Sequence, residues 1–419
     1  MSLLGIIGFI FVLGTAVLVH EIGHFVTARK FGVLCHEFAI GMGPVIFKKR
    51  KGETLYTIRL LPLGGFVSMG QEEMEKDIIK VGTAISFDCD EQGAVTEIYL
   101  DETIGEQSGT LVSNTEEVSR LLKLIVKVDG IEKTLDVSPT LIYADGKQMQ
   151  QMTPLERRLE SQPKIPRLII LSAGAIMNFL LALFFIVIVS AVQGEIVGMT
   201  NTIGQVMSDS PALNAGLDRG DTIVSVGDVP IENAQDIVDS IQGQSLVAVE
   251  ILRNGERVTV YVEPEHNEAL NQYMIGIFFE PEIERSVVAT ARATQYHYGQ
   301  GVHMILGTLG MLARGEAGVN DLSGPVGIAH MTSDVVTGGI LHLLIFASII
   351  NINVGIFNLL PFPALDGGRI FFILVEAIIR RPVSPKFENI VHVTGFVLFM
   401  ALFVFTFFND IFRLYFQDS

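Results

Sequence analysis

Three uncharged apolar runs constrain this 419-residue chain more than any other feature of its sequence. They cover residues 3–19, 168–192 and 393–408, and a helix of about 18 or more apolar residues can cross a lipid bilayer. The positive mean hydropathy of +0.45 points the same way. The sequence therefore predicts a polytopic α-helical membrane protein with about four transmembrane helices. The predicted spans are residues 3–28, 168–192, 338–360 and 389–408.

Basic residues beside these spans predict their orientation, because Lys and Arg are enriched on the cytoplasmic side. All three basic clusters fall on one side if both termini are extracytoplasmic. The clusters are Arg29, Lys30 and Lys48–Lys51, then Arg157, Arg158, Lys164 and Arg167, then Arg380, Arg381 and Lys386. We interpret the first apolar run as a retained span, since it lacks a basic segment before it and a small-residue cleavage site.

The acidic net charge of −17 belongs to two polar inserts between the spans. Of the 46 Asp and Glu residues, 19 lie in residues 71–165 and 16 in residues 195–285. The predicted orientation puts the first insert in the cytoplasm and the second outside. No basic stripe is available to neutralise phosphates, so nucleic acid is not an expected partner. The two cysteines predict no disulfide framework.

Four further segments differ in how clearly they can be interpreted. Residues 36–69 alternate and are rich in β-forming residues, which fits a hairpin leaning into the membrane and a cytoplasmic surface hairpin about equally. Arg285 precedes residues 286–312, and Arg292, His297 and His303 interrupt them, so we expect an interfacial or re-entrant helix. Residues 198–265 predict a compact module of short helices and strands. The insert 71–165 shows no motif.

The pattern His20-Glu21-x-x-His24 is the first candidate for chemistry. Two imidazoles at i and i+4 lie on one helix face and can bind one Zn²⁺, while the glutamate serves as general base. A chance surface helix is the alternative. It is disfavoured here because ionisable residues within a span are costly and need a compensating role.

A third metal ligand is expected at the same depth of the membrane, because catalytic zinc usually has three protein ligands. The segment from Asn358 to Gly368 supplies a candidate, Asp366, at the predicted inner end of the third span. Pro361 and Pro363 would break the helix before it. A plain helix N-cap is the alternative role for Asp366, and Glu37 is the next candidate ligand.

These motifs together resemble the site-2 protease family of M50-type zinc intramembrane metalloproteases, and within it the bacterial RasP-like branch with a single PDZ domain. Further family-like stretches are FAIGMGP, YTIRLLPLGGFV, AGAIMNF, LSGPVGI and NLLPFPALDGG. The resemblance covers most of the chain and is weakest in residues 71–165.

The resemblance implies a role for each matching residue. His20, His24 and Asp366 would bind Zn²⁺ and Glu21 would be the catalytic base. Asn358, Pro361 and Pro363 would bind substrate. The hairpin would receive the unwound substrate as an added strand, and the module over 198–265 would be an extracytoplasmic PDZ domain that restricts access. The expected domains are 1–70 (first span and re-entrant hairpin), 71–165 (cytoplasmic insert), 166–195 (second span), 196–266 (PDZ domain), 267–337 (interfacial helix and loop) and 338–419 (third and fourth spans).

The expected function is zinc-dependent cleavage of the transmembrane segments of single-span membrane proteins. The expected location is the bacterial cell membrane, with the active site near the cytoplasmic face. Anti-sigma factors and remnant signal peptides are the substrates that the resemblance implies. Two rival functions are a membrane scaffold that binds peptide tails through the PDZ module and a zinc transporter. A scaffold has no use for the zinc motif, and a transporter would spread ionisable residues along several spans.

Overall fold

A computed structural model describes residues 2–70, 80–100, 104–145, 148–232, 234–268, 271–318 and 322–414. The chain divides into two compact units. The first unit consists of Met1–Ile186 together with Tyr298–Ser419, and the second of Val187–His297.

The helices and strands follow the chain in this order. The first part contains α1 (Leu3–Lys30), β1 (Cys35–Lys51), β2 (Thr54–Met69), β3 (Ala84–Cys89), β4 (Val95–Tyr99), β5 (Gln107–Leu111), α2 (Thr115–Leu121), β6 (Lys123–Val128), β7 (Ile131–Asp145), β8 (Gln148–Gln151) and α3 (Lys164–Gln193). The middle part contains β9 (Glu195–Val206), α4 (Pro211–Asn214), β10 (Thr222–Val226), β11 (Val229–Pro230), α5 (Ala234–Ser240), β12 (Val247–Arg253), β13 (Glu256–Val262), β14 (Glu265–Asn267), β15 (Gln272–Met274) and β16 (Ile277–Glu284). The last part contains α6 (Val287–Arg314), α7 (Pro325–Thr337), α8 (Ile340–Leu359), α9 (Asp366–Ile379) and α10 (Pro385–Phe412).

Four helices in the described part of the chain are long and apolar enough to cross a membrane. They are α1, α3, α8 and residues 386–412 of α10, and the four predicted spans fall on them. The 28-residue helix α6 is not among them, so its assignment as an interfacial helix stays a prediction.

One face of α1 is buried along its whole length, and this face determines where the histidines point. Its buried residues recur every three or four positions, the spacing of a single helix face. Small residues allow neighbouring helices to approach closely. A Cβ on Gly8 would lie 2.6 Å from Val336 of α7, and a Cβ on Gly23 would lie 2.4 Å from the Ala173 carbonyl oxygen of α3. The buried residues are Gly5, Gly8, Val12, Ala16, His20, Gly23, His24 and Ala28.

Strands β1 and β2 form the predicted hairpin as a two-stranded sheet after α1. The strands bend, so that Phe38 is paired both with Val67 and with Tyr56. Residues 37–40 therefore lie between the two ends of β2. The insert that follows is a closed barrel, in the strand order β4-β3-β5-β6-β7 with β7 also paired to β4. No sequence pattern predicted this barrel.

The second unit contains a sheet in the order β13-β12-β10-β9-β16. Its core includes Ile203, Leu217, Ile223 and Val249, all with 0% exposure. The module predicted over residues 198–265 lies in this unit, but the sheet also includes β16 from beyond that range. Strand β16 pairs with β9 from Ile277 to Glu284, a long-range pairing that local patterning does not predict.

Candidate active site

His20, His24 and Asp366 bring three ligand atoms together in the first unit. The Nε2 atoms of the two histidines are 3.1 Å apart. Asp366 Oδ2 lies 3.1 Å from Nε2 of His20 and 3.2 Å from Nε2 of His24. The three atoms form a nearly equilateral triangle. The edge of a tetrahedron around zinc, with ligand distances of about 2.0–2.1 Å, is about 3.3–3.4 Å, so the triangle has the size that one zinc ion requires.

The hydrogen bonds of the other ring nitrogens favour metal binding. Nδ1 of His20 donates to Asn178 Oδ1 at 3.1 Å, and Nδ1 of His24 donates to the Ile170 carbonyl oxygen at 2.8 Å. In a neutral imidazole with a proton on Nδ1, the Nε2 atom carries an unprotonated lone pair. Two lone pairs and a carboxylate oxygen then face one another, an arrangement that a cation stabilises. The donor set therefore fits Zn²⁺.

Helix α3 supplies the wall behind the histidines through residues that sequence reasoning did not single out individually. A Cβ on Gly174 would lie 2.4 Å from Nε2 of His24 and 2.6 Å from Nε2 of His20, so only glycine fits there. The amide of Asn178 donates to the Ala16 carbonyl oxygen and to Asn351 Oδ1, both at 3.3 Å. Asn178 and Asn351 are both fully buried. Asparagine within an apolar span was the available signal, since buried polar groups need partners.

Glu21 lies beside the histidines at the edge of the hairpin. Its Oε2 accepts a hydrogen bond of 3.0 Å from the Val67 backbone N–H of β2. It also lines a cavity of about 580 Å³ together with the three ligand residues. Other residues that line this cavity include Phe66, Asn358, Arg369, Asn389 and His392. The carboxylate is thus fixed at one oxygen and placed next to a space large enough for a peptide segment.

The remaining predicted site residues have different positions. Asn358 lines the cavity and its amide donates to the Val354 carbonyl oxygen one turn earlier. Pro361 is exposed and Pro363 packs against Gly395, and neither is among the described residues that line the cavity. Asp366 is the first residue of α9 and its N-cap is Leu365.

Glu37, the alternative third ligand, has partners within the hairpin. Its carboxylate accepts from Thr57 Oγ1 and from Arg59 Nη2, the latter at 2.7 Å. In the part of the chain that the structure describes, the group of potential metal ligands contains Asp366 and not Glu37.

Comparison with known proteins decides the family. The profile of Peptidase family M50 matches residues 8–402. The chain belongs to peptidase family M50. The zinc metalloprotease RasP of Geobacillus kaustophilus (strain HTA426) is 36% identical over 98% of this chain and 98% of its own length. The RasP of Oceanobacillus iheyensis is 36% identical over 98% and 99%, and the regulator of sigma-W protease RasP of Bacillus subtilis (strain 168) is 35% identical over 98% and 99%.

This M50 chain is a zinc metalloprotease, and its cofactor is Zn²⁺. The four long apolar helices in its described part and its family both indicate a membrane protein. Among solved structures, the PDZ domain of an SdrC-like protein from Listeria monocytogenes covers 20% of this chain and 92% of its own chain at 17% identity. The TM-score of 0.18 is too low to establish a shared fold, so the PDZ assignment of the second unit stays a prediction.

Proposed function

We propose that this zinc metalloprotease cleaves peptide bonds within the membrane-spanning segments of single-span membrane proteins, and that His20, His24 and Asp366 bind its zinc. The single observation that carries the proposal is the triangle of Nε2, Nε2 and Oδ2 atoms with edges of 3.1–3.2 Å. Two of its corners lie on α1, a helix apolar and long enough to span a bilayer. A metal site on such a helix serves a substrate that is itself in the membrane.

Hydrolysis of a peptide bond within the membrane requires a base and an activated water molecule. Zinc held by His20, His24 and Asp366 would act as a Lewis acid that polarises the scissile carbonyl group and makes water more acidic. Glu21 takes a proton from the attacking water and passes it to the leaving amine. The hydrogen bond from Val67 N–H holds Oε2 of Glu21, so that the other carboxylate oxygen is available for the proton transfer.

The hairpin offers a place for the unwound substrate. The Val67 N–H is directed at Glu21 and thus away from its paired strand β1. In the described part of the chain, β1 and β2 form a sheet of only two strands, so Gly65, Phe66 and Val67 lie on an edge of that sheet near Glu21. A substrate strand added there would satisfy its own backbone groups. We propose that Asn358, on the cavity wall, holds the substrate carbonyl group.

We further propose that the site lies near the cytoplasmic face of the bacterial cell membrane. Arg29 and Lys30 occupy the last turn of α1, and His24 precedes Lys30 by six residues, about 9 Å along a helix. By the positive-inside rule, this end is cytoplasmic and both termini and the second unit are outside. A cysteine placed at Gly227, and not one at Arg381 or Gly130, should then react with an impermeant thiol reagent in intact cells.

We propose two physiological substrate classes, one suggested by the name of a relative and one by the resemblance to the site-2 protease family. The Bacillus subtilis relative is named regulator of sigma-W protease, and we propose anti-sigma factors with one span as one substrate class. Remnant signal peptides, which are short and apolar, are the other. Both fit regulated intramembrane proteolysis, in which the cut releases a segment from the bilayer.

The first test replaces Glu21 with Gln. We expect zinc to remain bound at one ion per chain, because the three ligands are unchanged. The rate of cleavage of a single-span substrate should fall by about 10²–10⁴, the usual contribution of general acid–base catalysis. Zinc content and cleavage are measured on the full-length protein in detergent. Substantial turnover with zinc in place would exclude Glu21 as the base.

The second test replaces Asp366 with Asn. A neutral amide oxygen is a weaker ligand than a carboxylate, so zinc should be lost faster to a chelator and cleavage should fall in parallel. Glu37→Gln is the matched control, because Glu37 has its partners in the hairpin. Loss of zinc in the Glu37 variant but not in the Asp366 variant would assign the third ligand to Glu37.

A further inference from the structure

The loop that carries Asp366 has a backbone conformation that its surroundings must hold in place. Ala364, two residues before Asp366, has a φ of +76°. An L-residue other than glycine is strained in this left-handed region, and such strain persists only where neighbouring contacts fix it. The loop is also tight, since a Cβ on Gly367 would lie 2.0 Å from the Leu360 carbonyl oxygen.

Helix α10 provides two of the contacts that fix this loop. The Ala364 N–H donates a hydrogen bond of 3.2 Å to Nδ1 of His392. One turn later, Gly395 leaves room for Pro363, because a Cβ there would lie 2.2 Å from the proline Cβ. The strained residue and the residue before it are therefore both attached to the same face of α10.

The environment of His392 keeps Nδ1 available as an acceptor. Nδ1 of a neutral imidazole accepts a hydrogen bond only when the proton is on Nε2. The Glu388 carboxylate, one turn earlier, has an oxygen 3.7 Å from Nε2 and stabilises a proton there. The Phe372 ring packs edge-on against the imidazole, with 5.7 Å between the ring centroids. The orientation and the tautomer of the ring are thus both constrained.

We propose that His392 is a positioning residue for zinc binding: its Nδ1 fixes the peptide of Ala364 and thereby directs the Asp366 carboxylate at His20 and His24. His392 acts through the loop, because its hydrogen-bond partner there is the backbone of Ala364. The inference rests on the proposed function, since it takes Asp366 as the third ligand. It adds α10 to the elements that determine how firmly the metal is held.

The test compares three replacements of His392 in the full-length protein in detergent micelles. His392→Leu removes the acceptor. His392→Asn keeps an oxygen at the same number of bonds from Cβ as Nδ1, whereas His392→Gln puts its oxygen one bond further out. The readouts are the rate of zinc loss to a chelator and the visible absorption spectrum of the Co²⁺-substituted protein, which reports the ligand set.

Removal of groups that orient metal ligands lowers metal affinity by about 10–100-fold, and we expect His392→Leu and His392→Gln to lose zinc faster than the parent by about this factor. Their cobalt spectra should shift. His392→Asn should resemble the parent in both measurements. His330→Leu, which removes a half-exposed histidine on α7, controls for adventitious metal binding and should change neither. If His392→Leu does not fold, the Asn and Gln variants decide by themselves.

The inference is overturned if His392→Gln holds zinc as firmly as the parent, or if His392→Asn loses it as fast as His392→Gln. Asp366→Asn, measured in parallel, separates this result from failure of the proposed function. If Asp366→Asn loses zinc while His392→Gln keeps it, Asp366 is the ligand and only the role of His392 is wrong. If Asp366→Asn itself keeps zinc, the proposed ligand set is wrong.

Discussion

The hairpin and the barrel that follows it are both β-structures in the same unit. The barrel encloses a core of apolar side chains, whereas the hairpin exposes a band of them on its surface. Among the fully buried apolar residues of the barrel core are Ile85, Phe87 and Ile98, at 0% exposure. The hairpin exposes a band of large apolar residues, among which Phe47 is 54% exposed. The band consists of Ile40, Met42, Val45, Ile46, Phe47, Ile58, Leu60 and Leu61.

The difference shows that the two regions are built for different surroundings. A closed barrel removes its own edges and encloses its own core. Both strands bend over residues 40–47 and 58–61, and we call this end, opposite the turn at Gly52 and Glu53, the hairpin tip. It has consecutive exposed apolar residues from Val45 to Phe47, so both of its faces are apolar. The base of the hairpin is packed, where Cys35 and Met69 join a core with Ala28 and Ile170. We therefore expect the tip to contact lipid, with Lys48 and Lys49 at the headgroups.

The largest effect that tests this comparison is expected in the barrel core. Phe87→Ala should destabilise the barrel by about 3–5 kcal/mol, because it leaves a cavity at a fully buried position. Phe47→Ala removes the same side chain from an exposed position and should leave the barrel unchanged. Hydrogen exchange of peptides from residues 84–145, followed by mass spectrometry in the full-length protein, measures both. Equal effects of the two changes would contradict separate cores.

The next effect concerns the hairpin tip and lipid. The chain contains no tryptophan, so Phe47→Trp introduces a single fluorophore. Full burial of a large apolar side chain such as the original Phe is worth about 1.5–3 kcal/mol, which favours insertion of this position into lipid. Brominated lipids in reconstituted vesicles should therefore quench the fluorescence of the Phe47→Trp protein. The matched control, Ile131→Trp at a 66% exposed position of the barrel, should not be quenched. No quenching of the hairpin variant would support the alternative of a hairpin on the cytoplasmic surface. Equal quenching of the two variants would contradict the contrast between the hairpin and the barrel.

Sequence alone could predict the features that depend on local spacing or on length. The i, i+4 spacing of His20 and His24 is a property of one helix, and the spans follow from apolar length. Asp366 could be proposed because its motif stands at the end of a span. The barrel, Gly174 and His392 could not be found in this way, since each depends on a partner far away in the chain. The pairing of β4 with β7 closes the barrel, and Gly174 matters only because α3 packs against α1.

The smallest effect concerns the ion pair that joins the hairpin to the segment after the barrel. Arg157 donates from Nη1 and Nη2 to the two carboxylate oxygens of Glu53, which lies at the turn of the hairpin. The guanidinium holds the pKa of Glu53 below its ordinary value. Both side chains are about one-third exposed, so the pair contributes about 0.2–1 kcal/mol. Glu53→Gln should lower the stability of the hairpin by that amount at neutral pH.

The pH dependence of this difference follows from the direction of the pKa shift. A carboxyl group whose pKa is lowered by folding stabilises the folded state above its unfolded pKa of about 4.3, and this contribution is lost as the pH falls through the lower folded value. The stability difference between the parent and Glu53→Gln should therefore be constant near neutral pH and shrink below about pH 4.3. Glu132→Gln, at an exposed barrel position, is the control. Thermal unfolding of the full-length protein across this pH range measures the stability difference. A difference that does not change with pH would mean that the amide disturbs the hairpin turn by its shape and that the charge pair contributes nothing.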